Sequence, residues 1–286
     1  MTQAEQPAGV AIHTVGESLS TTVSLRSVPD VLGFADAARV AAFAKLDEAH
    51  RTAFGQFGTP PKVARLMASM FNANRREIRL LDAGAGVGSL SAAFVAELLT
   101  REVLPTSIAV IAYEVEPMLA ECLRDTLSRC HDACATQGVS FSSEVIVSDF
   151  IETSVRSARG DLFAVEGQRF NCAIQNPPYR KINSDSTHRR LLRQVGIETT
   201  NLYSAFLSLT LRMLEPGGEL VAITPRSFCN GPYFKSFRRE FLSKVALRRI
   251  HVFDTRDTAF SQDRVLQENV IVHSVRGQSP GPTIEV

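Results

Sequence analysis

Apolar residues in this chain recur at two different periods, and the alternation of those periods along the sequence predicts its architecture. From Phe34 to His50, Ala, Val, Phe and Leu return every three or four positions, the spacing of one buried helix face. After the loop GQFGTPP, a second helix is predicted over about Pro61 to Phe71, with Pro61 suited to the first turn because that position needs no N–H. Short apolar runs at about 78–83, 108–114, 143–148, 170–175 and 219–224 then read as strands, separated by helical stretches at about 89–101, 117–135 and 202–214. Strand and helix in strict turn imply βαβ units and a parallel sheet covered on both faces. A further helix near 233–243 precedes two strands, about 247–253 and 266–274, joined by a polar loop, which read as a C-terminal antiparallel hairpin. The expected fold is therefore α/β and Rossmann-like, with a mostly parallel seven-stranded sheet. Residues 1–34 have no clear period and are read as a flexible arm, residues 35–276 as the folded body, and 277–286 as a tail.

Composition narrows the setting. The 286 residues are 44% hydrophobic and 21% charged, with a formal net charge of +1, an ordinary globular balance. No apolar run approaches the ~18 residues of a membrane span, and the first 30 residues lack a basic start followed by an apolar core. A cytoplasmic protein is expected. Cys122, Cys130 and Cys134 lie in a predicted helix at spacings unlike paired zinc ligands, so the five cysteines are read as reduced thiols and no metal is expected. The near-neutral total hides an asymmetry, because residues 171–286 carry 16 Lys+Arg against 10 Asp+Glu. Arg180, Lys181, Arg189, Arg190 and Arg193 form one basic segment, and Arg226, Lys235, Arg238, Arg239, Lys244, Arg248 and Arg249 another. A polyanion could lie across such a face; two solvated surfaces would look the same.

Two motifs sit where strands are predicted to end. The first strand closes on Asp82, followed by Gly84, Ala85, Gly86 and Gly88 before a helix near Ser89. Glycines there let the backbone turn sharply and approach a ligand at the carboxyl end of the sheet. A nicotinamide loop would place its third small residue one position later than Gly88, which weakens that reading. Glu114, ending the next strand, can accept both hydroxyls of a ribose. Asp82 tips the balance, since an acid before the glycines suits a ligand carrying an ammonium better than a pyrophosphate. Asp149 and Phe150, read as the end of the third strand, could meet an adenine amine and flank its ring.

The second motif is Asn176-Pro177-Pro178-Tyr179, directly after the fourth strand. It suits an NH2 group whose lone pair is delocalised into a π system and is therefore a poor nucleophile. Two acceptors, the Asn176 side-chain oxygen and the Pro177 carbonyl, could bind both hydrogens and localise the lone pair on nitrogen. Proline stiffens that geometry and brings no competing N–H. Tyr179 could stack on the planar group, worth roughly 1–3 kcal/mol for a base.

Together these motifs resemble the catalytic part of the class I S-adenosylmethionine-dependent DNA adenine-N6 methyltransferases of the gamma group, found in restriction-modification systems. The D-x-G-x-G-x-G run, the acidic strand end and NPPY follow in that family's order, preceded by an FGTPP segment (Phe57 to Pro61) and followed by EPGGELVAITPRSF and FDTRDTAFSQDRVLQENVIV. The resemblance covers about residues 35–275. It implies S-adenosyl-L-methionine as cofactor, contacted by Phe57, Thr59, Pro60, Asp82, Gly84, Ala85, Gly86, Glu114, Asp149, Phe150 and Asn176. It implies double-stranded DNA as partner, with a flipped adenine between Tyr179 and an aromatic of the closing hairpin, Phe260 or secondarily Phe253, and phosphates held by Arg180, Lys181, Arg226 and Lys235. The chain departs from the family in one respect: residues 277–286 and the span from Arg180 to Asn201 are too short for a target-recognition region. A separate recognition subunit, or a cognate restriction endonuclease, is thus an expected partner. Protein glutamine-N5 methylation and ribosomal RNA methylation share the NPPY chemistry and stay open, as does a catalytic fragment that depends on such a partner.

Overall fold

The protein is described from a computed structural model that covers residues 30–46, 58–72, 74–159, 169–231, 234–253, 268–279 and 283–286. Two helices enter first: α1 (Val31–Lys45), capped by the Asp30 carboxylate on the Gly33 N–H at 2.9 Å, and α2 (Pro61–Ser69), with Pro61 in its first turn. Then come β1 (Glu77–Ala83), α3 (Ser89–Leu98), β2 (Ser107–Glu114), α4 (Pro117–Thr136), β3 (Ser140–Val147) and α5 (Phe150–Ala158). The second half runs β4 (Phe170–Gln175), α6 (Thr187–Gln194), α7 (Leu202–Met213), β5 (Leu214–Pro225), α8 (Ser227–Asn230), α9 (Lys235–Lys244), β6 (Val245–Val252) and β7 (Asn269–Arg276).

The seven strands form one sheet in the order β3-β2-β1-β4-β5-β7-β6. The first five run parallel, and β7 pairs antiparallel with both β5 and β6. Alternation along each inner strand sends side chains to two separate cores. Cys172 and Ile174 of β4, Val221 and Ile223 of β5 and Ile271 of β7 pack with α1 to α4. Ala173, Leu220, Ala222, Val270 and Val272 pack on the opposite face with α5 to α9. Burial on both faces explains why the inner strands read as continuous apolar runs. The edge strand β3 is different: Ser140, Ser143 and Glu144 are exposed, and only its apolar second half was legible.

Three helices were not expected. Phe150 does not end a strand: β3 stops at Val147, Asp149 caps α5 by accepting from the Glu152 N–H at 3.0 Å, and Phe150 opens the helix. An acid followed by Glu three residues later is a helix-start signal, overlooked because the run also follows a strand. A second, α6, reads THRRLLRQ; Leu191, Leu192 and Val195 turn one face to the core, but the helix is only eight residues long and mostly charged or polar, and the third, α8, is a single turn. None of the described helices is long and apolar enough to cross a membrane.

The chain order fixes where chemistry can sit. Strands β1, β2 and β3 step away from the centre, and β4 returns to the other side of β1. Loops leaving β1 and β4 therefore diverge and open a crevice at the carboxyl edge of the sheet.

Candidate active site

The glycine loop leaves β1 through three left-handed residues, Gly84, Gly86 and Gly88 with φ of 76°, 58° and 87°. The Gly84 and Ala85 N–H groups donate to the Tyr113 carbonyl at 2.9 Å, which folds the loop back over β2. Its glycines do different work. A Cβ on Gly88 would lie 2.8 Å from Leu123 Cδ1, so this glycine lets α4 pack close, whereas a Cβ on Gly86 would meet nothing within 4 Å. Gly86 faces a cavity, lined also by Thr59, Glu114, Asp149, Asn176 and Phe206.

Glu114 is fixed by backbone groups. One carboxylate oxygen accepts from the Gly86 N–H at 2.8 Å and the other from the Glu116 N–H at 2.9 Å. The Val115 N–H adds a further bond, which leaves about one of the four lone-pair sites for a ligand, and burial raises the Glu114 pKa above the ordinary carboxylate value. Asp82 is buried beneath the loop, is absent from the cavity lining and accepts from Ser91 Oγ at 2.6 Å. Desolvation lifts its pKa to about 7. Asp82 therefore supports the loop in this structure rather than presenting a carboxylate to a ligand, because Ser91 and the surrounding core enclose it.

On the facing wall, Asn176 follows β4 and is half-buried. Its Nδ2 donates to Thr59 Oγ1 at 3.1 Å, joining the segment before α2 to the loop that follows β4. Its Oδ1 accepts from the Tyr179 hydroxyl at 3.0 Å. The sequence pattern had Tyr179 stacking flat on a planar group beside a free acceptor; here the phenol turns back onto that acceptor. Tyr179 packs edge-on against Tyr203, with ring centroids 6.4 Å apart, and burial holds its hydroxyl protonated. A half-buried amide oxygen and a phenol satisfy each other in this arrangement. Pro178 lines the cavity and Pro177 is buried outside it, while Pro60 caps the start of α2.

Asp149 and Phe150 both border the cavity. The Phe150 ring packs on Phe206 at 4.9 Å and edge-on against Tyr113 at 5.1 Å, making an aromatic floor. Asp149 has a partner that sequence reasoning missed: His188 Nε2, from α6, lies 2.9 Å from its Oδ2. Burial alone would raise the Asp149 pKa, but the bonds from His188 and the Glu152 N–H outweigh it and hold the carboxyl below its ordinary value. The same hydrogen bond raises the His188 pKa. A lone histidine in a polar helix carries no signal that it will meet an acid 39 residues away.

The basic residues divide. Arg180 is exposed and borders the cavity, and Lys181 and Lys235 are exposed. Arg226 is exposed but lies 3.3 Å from Glu268. Arg189 and Arg193 both bind Glu198, and Arg238 donates to the carbonyls of Phe228 and Gly231, so these three cations serve local structure. Phe57 and Phe260 lie outside the described residues. Phe253, the lesser aromatic candidate, packs against the first core cluster and edge-on to His251 at 4.9 Å.

Residues 131–260 match the family model described as Eco57I restriction-modification methylase. The chain is 44% identical over 251 residues to the type II methyltransferase M.PstI of Providencia stuartii, covering 88% of this chain and 48% of that protein. It is also 44% identical over 231 residues to the type II methyltransferase M.BsuBI of Bacillus subtilis, covering 80% and 45%. The chain is similar, over this span, to restriction-modification methyltransferases. Among solved structures, a candidate class I S-adenosylmethionine-dependent methyltransferase from Listeria monocytogenes matches with a TM-score of 0.64 at 12% identity, covering 92% of this chain and 74% of that one. The class I methyltransferase fold is thereby shown. This methyltransferase relative spans about half the length of the curated proteins it matches. The family-matched span holds Asp149, the Asn176 loop and His188 together.

Proposed function

We propose that the protein transfers a methyl group from S-adenosylmethionine to the N6 amine of adenine in DNA, with the base turned out of the duplex, within a restriction-modification system. The observation that carries this reading is the position of Asn176, an amide acceptor on the same cavity wall system as Gly86 and Glu114. The cavity suits the cofactor. Gly86 offers a cradle that a Cβ would fill, Glu114 keeps acceptor capacity toward a ribose, Asp149 is an acceptor for an adenine amine, and Phe150 and Phe206 supply an apolar floor. The bound cofactor supplies an electrophilic methyl on a sulfonium.

The chain's own residues do the rest by orientation. Asn176 Oδ1 and the Pro177 carbonyl accept the two amine hydrogens, which draws the nitrogen toward a tetrahedral geometry with a localised lone pair. For this, Tyr179 leaves Asn176 and stacks on the extruded base. Thr59 continues to accept from Asn176 Nδ2 and so fixes which face of the amide points at the amine. No strong base is needed, because the methylated nitrogen is acidic and gives its proton to solvent. Arg180, Lys181 and Lys235 hold the phosphate backbone, which makes binding salt-dependent. Sequence readout is assigned to a separate recognition segment or subunit, since among the described residues every long helix is already packed on the sheet.

The test is transfer of labelled methyl from S-adenosylmethionine to unmethylated DNA of mixed sequence, with nucleoside analysis of the product. N6-methyladenine is expected, falling by ~10²- to 10³-fold in Asn176→Ala while cofactor affinity is kept. Label in cytosine, in protein or in RNA alone would overturn the assignment.

A further inference from the structure

His188 is an ionisable side chain on the cavity wall that the proposed reaction does not use. It projects from α6, the helix that follows the Asn176 loop, and reaches across to the acid that caps α5. The two residues are comparably exposed, 30% and 31%, so the pair sits at the cavity surface rather than in the core.

The Asp149 carboxylate is gripped at both ends. Its Oδ1 accepts from the Glu152 N–H at 3.0 Å and its Oδ2 from His188 Nε2 at 2.9 Å. The Ile151 N–H adds a further bond, so three donors fix the carboxylate plane and about one of its four lone-pair sites is left over. Without His188 the α5 N–H groups still hold the cap, but no side chain grips Oδ2 and the acceptor direction is less sharply set. We infer that His188 is a positioning residue for the cofactor, holding Asp149 in the orientation that receives the adenine 6-amino group. This rests on the reading that Asp149 takes that amine.

The surroundings of His188 favour donation to Asp149. From α5 it faces Asp149 and Glu152, and from the catalytic loop it faces Arg180; the acids prevail, and the imidazole is more basic than usual. On its own helix, Arg189 turns to Glu198 and Thr199, and Arg190 to Asp185 and Thr187, so neither competes for Asp149. The pair also ties the cofactor side of the cavity to the element next to Asn176, so a cofactor seated on Asp149 steadies the catalytic loop.

The experiment is calorimetric binding of S-adenosylhomocysteine, and of its analogue with hydrogen in place of the 6-amino group, to the full chain and to three variants whose folding is checked by thermal melting. His188→Ala is expected to weaken S-adenosylhomocysteine by about five- to tenfold and to leave the deaminated analogue unchanged. His188→Gln, which keeps an N–H donor, restores most of the loss, and Asp149→Ala, which removes the acceptor, abolishes the preference for the amino compound. Equal weakening of both ligands in His188→Ala would mean a merely structural role and overturn the inference. So would an intact preference in His188→Ala beside a lost one in Asp149→Ala, which leaves the reading of Asp149 standing. An unchanged preference in Asp149→Ala overturns both.

Discussion

The two walls of the cavity are built by different means. On the β1–β2 side, Glu114 is held by two backbone N–H groups, and the glycine loop by the Tyr113 carbonyl. On the β4 side the bonds of Asn176 run between side chains, to Thr59 and Tyr179, while Asp149, on the side proposed for the cofactor, takes both kinds, from the Glu152 N–H and from His188. A backbone-built wall is set by where the strands end and keeps its shape whatever binds. A side-chain-built wall can exchange one partner for another, as a site must that admits a large base and then orients it. Rigidity on the cofactor side and exchangeable bonds on the substrate side are what in-line transfer between two bound molecules asks of a protein.

The largest expected effect separates two glycines of the rigid wall. Gly86→Val forces a β-branched residue into a left-handed conformation and fills the space the loop leaves open, so cofactor affinity falls by ~100-fold, with about 1–2 kcal/mol of strain. Gly88→Ala instead drives a methyl into Leu123 and Thr126, costing about 1–3 kcal/mol of stability while the folded protein binds cofactor with nearly native affinity. Calorimetry and denaturant unfolding on both variants check the pair; equal affinity losses would mean the loop acts as one rigid unit and the division is wrong.

The same contrast decides what the sequence makes legible. β1, Gly84, Gly86 and Glu114 are readable because each answers a local backbone requirement: a strand end, a left-handed turn, a carboxylate one strand over. Asn176 is readable because two prolines and an aromatic crowd one strand end. The Asp149–His188 pair is not, since it depends on α6 docking beside α5, and α6 is a short helix of mostly charged and polar residues. The Tyr179 conformation is equally illegible. The motif names a stacking group, but whether the ring lies flat or turns its hydroxyl onto Asn176 depends on Tyr203, a residue on α7 outside the motif. The basic segments are ambiguous for a related reason: a charge count cannot tell that Arg189 and Arg238 are held by Glu198 and by the carbonyls of Phe228 and Gly231.

A second test concerns the support under the rigid wall. Asp82 has a folded-state pKa of about 7 against an ordinary 3.8, because burial penalises the charge and Glu114 adds repulsion, only partly offset by Ser91. Between about pH 4 and 7 the unfolded chain has lost this proton while the folded chain keeps it, so the folded state binds more protons and stability falls as pH rises through that window. The loss amounts to roughly 4 kcal/mol and levels off above about pH 7. Asp82→Asn, which still accepts from Ser91, removes this slope and is the more stable protein near neutrality. Denaturant midpoints at pH 5 and 7.5 check it; parallel pH profiles for the two proteins would show that Asp82 is already ionised in the fold.

The smallest effect probes the exchangeable wall where it is most directly switched. In Tyr179→Phe the ring remains available for stacking, but the internal donor that occupies Asn176 Oδ1 is gone. A neutral hydrogen bond is worth about 0.5–1.5 kcal/mol net, so removing it favours the incoming amine by at most a few-fold, read as a two- to fivefold rise in kcat/KM for DNA. Tyr179→Ala goes the other way, losing stacking worth roughly 1–3 kcal/mol, a drop of about ten- to a hundredfold. The sign of the Phe variant is the informative part. A rise identifies the phenol as a competitor that base binding must displace, whereas a fall as deep as that of the Ala variant would mean that the hydroxyl acts on the substrate itself, so that the bond to Asn176 belongs to the working site.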